Sequence, residues 1–144
     1  MASFWRAAFR LQYRILAWLD PLIRATWRRG GIGNVLELRV AGRNGKGDRS
    51  RMVGLLRSGG ELYLGHPSGH VGWTRDLEAS GVGTLLWQNG NELEFSARRL
   101  AKDDPEREVA ISATGQHPFP GNLVYRLGRR HVRSEGVYFR LDPL

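Results

Sequence analysis

The chain has no cysteine, which excludes disulfides, cysteine-ligated zinc and a thiol nucleophile. It also lacks a long uninterrupted apolar run. Arginines recur about every four residues through the N-terminal segment, and each would be costly near a bilayer centre, so a transmembrane span is not expected. A secretory signal is not expected either, because no apolar stretch leads to a small-residue cleavage site. There is no internal repeat, no low-complexity stretch, no Walker-type spacing, and no glycine fingerprint leading into a helix. Carboxylates are scarce at the start: within residues 1–30 Asp20 is the single acid.

What is present reads as one folded core. The 144 residues are 41% hydrophobic and include five Trp, more apolar surface than a disordered chain would carry. Nineteen glycines predict many tight turns and a β-rich architecture. The net charge of +8 is uneven, with +5 of it in residues 1–30.

Within that segment, Phe4, Trp5, Leu11, Ile15, Leu16, Trp18, Leu19, Leu22, Ile23 and Trp27 fall on one broad helical arc. Arg6, Arg10, Arg14, Arg24 and Arg28 take the opposite side. Asp20-Pro21 is placed to restart a bent helix, with Asp20 as N-cap, and Gly30-Gly31 ends it. The arc serves either packing on the rest of the fold or an anionic membrane interface, and a width sufficient for both is compatible with the pattern. An Arg-rich transit peptide is a third reading. The division expected is a basic amphipathic segment at 1–30 and a β domain at 31–144, in a cytoplasmic protein with the option of the inner membrane face.

After Gly33 the period becomes extended. Val35 to Val40 reads as a strand closed by the glycine-rich turn 41–48. Met52–Leu56 and Glu61–Leu64 form a hairpin across Ser58-Gly59-Gly60, and Thr84–Trp87 and Glu92–Ala97 form another across Asn89-Gly90-Asn91. Trp73–Ala79 predicts a short helix ending at Gly81. A second helix is expected with Asp103 as N-cap, then a brief one at Asn122–Leu127 and a last strand at Gly136–Leu141. Five or six strands with helices inserted late predict a small antiparallel barrel.

Three stretches carry candidate chemistry. In the turn from Gly42 to Arg51, Arg43, Lys46, Arg49 and Arg51 offer charge-assisted donors beside glycines, a pattern suited to a phosphate or to plain solvation. In His66–Leu77, Pro67 and Gly69 prevent His66 and His70 from sharing a helical face, and with no third ligand no metal is expected. Ser68 lies near histidines without hydrolase spacing, Trp73 suits a core or a ligand platform, and Arg75 suits a pair with Asp76 or the pocket of the glycine-rich turn. The third stretch, Arg126, Arg129, Arg130, His131 and Arg133, is basic, but the basic residues are dispersed and no nucleic-acid module accompanies them, so no nucleic-acid partner is expected.

Gly42-Arg43 with Arg49 and Val53-Gly54-Leu55-Leu56, then Gly72-Trp73-Thr74-Arg75-Asp76-Leu77, then Val137-Tyr138-Phe139-Arg140-Leu141-Asp142-Pro143 together resemble the deazaflavin-dependent oxidoreductases, the F420H2-dependent quinone and nitro reductases. Asp76 stands where that family has Asn, and Gly45-Lys46 where it has Ser/Thr-Gly. The resemblance implies a split β-barrel and hydride transfer from reduced F420, with FMN or a haem-like tetrapyrrole as alternative ligands. It implies a small-molecule acceptor and a monomer or homodimer. Arg43, Lys46, Arg49, Arg51, Trp73 and Arg75 become candidate cofactor residues, and Ser68, His66 and Tyr138 candidates to hydrogen-bond the acceptor. A non-catalytic carrier of lipid, haem or tetrapyrrole is the competing reading.

Overall fold

The computed structural model describes residues 2–45 and 47–144. Two helices come first, α1 (Ala2–Trp18) and α2 (Asp20–Gly30), separated at Leu19. Backbone bonds of 2.9 Å from Leu19 to Ile15 and from Ile23 to Leu19 carry the ladder across the junction. Pro21 has no N–H to continue it, which accounts for the break. Asp20 is not the N-cap: Leu19 holds that position without a side-chain cap, and Asp20 instead accepts from Arg24 Nε at 2.6 Å.

Seven strands follow, interspersed with four further helices: β1 (Val35–Ala41), β2 (Asp48–Gly54), β3 (Leu56–Ser58), β4 (Glu61–His66), α3 (Gly72–Ser80), β5 (Val82–Leu86), β6 (Glu92–Arg99), α4 (Pro105–Ser112), α5 (Gly121–Leu127), α6 (Arg129–Glu135) and β7 (Val137–Pro143). The strands form one antiparallel sheet in the order β2-β1-β5-β6-β7-β4-β3. Its two edges are consecutive in the chain, joined through Leu55, so the sheet curls until its ends meet. Asn34 fastens that bend: its carbonyl takes the Leu55 N–H at 2.9 Å, and its Nδ2 donates to the Leu55 carbonyl at 3.0 Å.

The period-two alternation of the strands divides the core in two. Val137, Phe139 and Leu141 of β7 face the barrel interior with Leu36, Leu38, Val40, Leu64, Leu85 and Phe95, and α3 closes that interior with Trp73 and Leu77. Tyr138 points to the outer side, where Tyr63, Leu56, Ile111, Tyr125, Val132 and Phe9 pack beneath α1, α4 and the helices α5 and α6. Gly65 lies opposite Tyr138 in the β4–β7 register, and a Cβ there would overlap the tyrosine ring, so the ring lies where only glycine leaves room.

Three expectations are corrected. β2 begins at Asp48, so Arg49 to Arg51 are strand rather than turn and apolar run. The N-cap of α4 is Asp104, whose Oδ1 accepts from Glu106 N at 2.9 Å. Pro105 takes the first helical position, which makes the residue immediately before it the cap. The hairpin across Gly59-Gly60 is built by β3 (Leu56–Ser58) with β4, whereas Met52 to Gly54, expected in that hairpin, belong to β2 and pair with β1.

Candidate functional site

The turn between β1 and β2 and the first half of β2 bring three of the expected cofactor residues to one mouth of the barrel. In the β1–β2 register Arg49 lies opposite Val40 and Arg51 opposite Leu38, both buried, so these arginines share the inner face of the sheet. β2 is an edge strand, and in its N-terminal half Arg49 and Arg51 lie beside the interior residues Val40 and Leu38 at the open margin of the sheet. Arginine there keeps its charge in solvent while its stem covers the core.

Asp76 organises the same mouth from α3. Val71 caps this helix by donating its N–H to Thr74 Oγ1 at 2.9 Å, and Gly81 ends it in the left-handed conformation at φ 73°. Trp73, Asp76 and Leu77 therefore form its buried face. Asp76 Oδ1 accepts from Arg43 Nε at 2.7 Å and from Arg43 N at 3.2 Å. Its Oδ2 is buried without a hydrogen bond, and Arg49 stands 3.9 Å away. A carboxylate 1% exposed is stable only with such a counter-ion, so the glycine-rich turn is tied to α3 through a pair 33 residues apart. Arg75, the neighbour expected to pair with Asp76 or to share its pocket, is exposed and makes no ion pair among the described residues.

Arg51 is held by α1. Its Nη2 donates to the Tyr13 hydroxyl and its guanidinium lies 5.0 Å from the Tyr13 ring centre. The same ring meets His66 edge-on at 5.5 Å. His66 shares the inner face with Val137, and burial holds its pKa down to about 4, so it is neutral at pH 7. Arg43 and Arg49 thus share the Asp76 carboxylate and Arg51 has no acidic partner among the described residues, leaving a local positive excess beside an aromatic wall.

The other expected site residues are placed differently. Trp73 is a core residue 7% exposed, so its ring offers no open stacking face in this conformation. Tyr138 is 1% exposed on the outer side, its hydroxyl buried without a partner. Lys46 lies outside the described residues. Ser68, in the loop after β4, meets a residue that local spacing could not reveal: its Oγ is 2.9 Å from His131 Nε2 of α6. Nδ1 of that imidazole is buried with no partner. An orphan N–H is rarer than an orphan lone pair, so the favoured tautomer carries its proton on Nε2 and donates to Ser68. Ser68 then has no base to activate it and keeps its own O–H free to donate.

A separate cavity lies elsewhere. A groove of about 430 Å³ opens beside the start of β1, lined by Trp27, Gly31, Asn34, Leu55, Arg57 and Trp87. None of the expected cofactor residues lines it. Along β1 the register partners of Arg51 and Arg49, Leu38 and Val40, lie about 7–17 Å from Leu36 and Val35 of the groove.

No family model matches the chain, and no curated protein does. Solved structures do resemble it. HutZ, the haem storage protein from Vibrio cholerae, aligns with a TM-score of 0.59 and 14% identity over 88% of this chain and 90% of its own. An F420-H2 dependent reductase, FDR-A, aligns at 0.55 and 15% over 76% and 94%. A Clostridium acetobutylicum protein related to general stress protein 26, of the pyridoxinephosphate oxidase family, aligns at 0.53 and 14% over 90% and 84%. The chain is a split β-barrel. Identities this low establish the fold, and one such barrel serves proteins named for different ligands.

Proposed function

We propose that this split barrel is an oxidoreductase that passes a hydride from reduced deazaflavin F420 to a quinone-like or nitro-aromatic acceptor. The observation that carries the proposal is the mouth where Arg43 and Arg49 share one buried carboxylate, while Arg51, two residues along the same face of β2, has only the neutral Tyr13 hydroxyl as partner. A polyanionic cofactor tail needs that excess of guanidinium groups, and the residues present fit it. Arg49 is exposed at the barrel edge and Arg51 partly so, which leaves both able to take a phosphate. Asp76 positions Arg43 and with it the backbone of the turn.

When bound, the deazaflavin supplies the hydride from its ring. Around it the chain's own groups bind, orient and exclude water. Tyr13 and His66 form an aromatic wall beside Arg51, and neutral His66 adds no charge that would compete for the tail. Ser68, with its hydroxyl proton free, is proposed to hydrogen-bond the acceptor oxygen. The likeness of the fold to FDR-A supports the reading at the level of architecture.

The second reading, a non-catalytic barrel carrying a lipid, haem or tetrapyrrole, is favoured by one observation: the groove between Trp27 and Trp87 is separate from the arginine mouth. Spectral titration of the purified protein with F420, FMN and haemin separates the two. The proposal predicts F420 binding at micromolar concentration and oxidation of F420H2 in the presence of a quinone. Haemin binding with no affinity for F420 or FMN would establish the carrier instead.

A further inference from the structure

At 100° per residue α1 has three faces rather than two. Trp5, Phe9, Gln12 and Tyr13 lie against the fold: Phe9 meets Tyr125 at 5.6 Å and His131 at 5.8 Å, and Tyr13 meets Arg51. Arg6, Arg10 and Arg14 occupy a second face, within about 80° of arc. The third, within about 60°, holds Phe4, Leu11, Ile15 and Trp18. All four are exposed, Trp18 by 81%, and Leu22 on α2 extends the set. Among the described residues no helix is long and apolar enough to cross a membrane.

A contiguous apolar stripe of this kind needs a partner, and the neighbouring charge selects which. Arg10, Arg14, Arg28 and Arg29 have no ion pair among the described residues, and the carboxylate within the segment, Asp20, is engaged by Arg24. A second copy laid face to face would bring unpaired arginine rows together with no acid to meet them. An anionic bilayer meets both demands, with phosphate headgroups beside the arginines and acyl chains beneath Trp18 and Leu11. We infer that the outer face of α1, with Leu22 of α2, docks the protein onto an anionic membrane surface, the barrel remaining in water. This surface is independent of the cofactor reading and can fail without it.

Co-sedimentation of the full chain with vesicles tests the inference. The probes are phosphatidylcholine alone and phosphatidylcholine containing about 30% phosphatidylglycerol. The protein is expected to prefer the anionic vesicles by roughly 10- to 30-fold at low salt and to lose most of that preference near 0.5 M salt, where the Debye length falls below about 5 Å. Trp18→Ser should weaken binding by about 10-fold or more, and Arg10→Gln with Arg14→Gln should abolish the anionic preference. These side chains are exposed, so unchanged thermal melting will show that each variant is folded. No binding to anionic vesicles at low salt, or binding that neither variant weakens, would overturn the inference. So would a stable dimer that buries Trp18 and does not bind vesicles.

Discussion

Replacing Arg49 and Arg51 together by alanine is expected to weaken F420 binding by roughly 100- to 20,000-fold. Hydrogen bonds from a guanidinium to an anionic oxygen contribute about 1.5–3 kcal/mol each, and two of them lie within this range when their losses add. The loss should concern the ligand rather than the fold. Arg49 is exposed at the edge of the sheet, and the bond from Arg51 to Tyr13 ties down a surface side chain, so stability should change by less than about 1 kcal/mol. Fluorescence titration of both proteins with F420, with thermal melting alongside, measures the two effects separately. Equal affinities would move the tail away from β2.

The second large effect lies in α1, where neighbouring positions on the helix should behave in opposite ways. Phe9→Ala removes a ring 1% exposed that fills the space among Tyr125, His131 and Trp5. Truncating a buried phenylalanine costs about 3–5 kcal/mol, which for a chain of this size lowers the melting temperature by on the order of 10–15 °C. Leu11→Ala, two residues further on, removes an exposed side chain and should change stability by no more than about 0.5 kcal/mol. Chemical denaturation of the two variants reads the contrast directly. A large loss at Leu11, or none at Phe9, would mean that α1 packs on the barrel through a different face.

That contrast also marks where the amino-acid sequence stopped being informative. The apolar arc from Phe4 to Trp27 was legible, but it is wider than the surface it packs on, and the barrel takes Trp5 and Trp27 from it while adding Phe9 and Tyr13 from its flank. Helical periodicity locates apolar residues and does not say which half of a broad stripe will be covered. Strand order was readable where turns are short: the Asn89-Gly90 hairpin and the Gly59-Gly60 hairpin form as their turn residues require. The start of β2 was hidden because Arg49 and Arg51 occupy inward positions that a strand pattern reserves for apolar side chains, an exception permitted at an open barrel edge.

The candidate site was legible as composition and illegible as contact. A basic, glycine-rich turn suggested an anion, and the resemblance supplied a cofactor. The pairing of Arg43 with Asp76 across 33 residues, of Arg51 with Tyr13 across 38, and of Ser68 with His131 across 63 follows from sheet closure and helix docking. Local spacing carries no trace of such partners. Asp76 beside Arg75 illustrates the error that adjacency invites, since the helix turns Asp76 inward to Arg43 and leaves Arg75 in solvent.

The central claim is that the arginine mouth holds the anionic end of a deazaflavin. Its most direct test compares the affinity of the wild-type protein for F420 with its affinity for the same deazaflavin ring lacking the anionic tail. The account predicts that F420 binds at least ~100-fold more tightly, a difference that salt reduces because it arises from charge. Equal affinity for the two ligands, unaffected by salt, would contradict it.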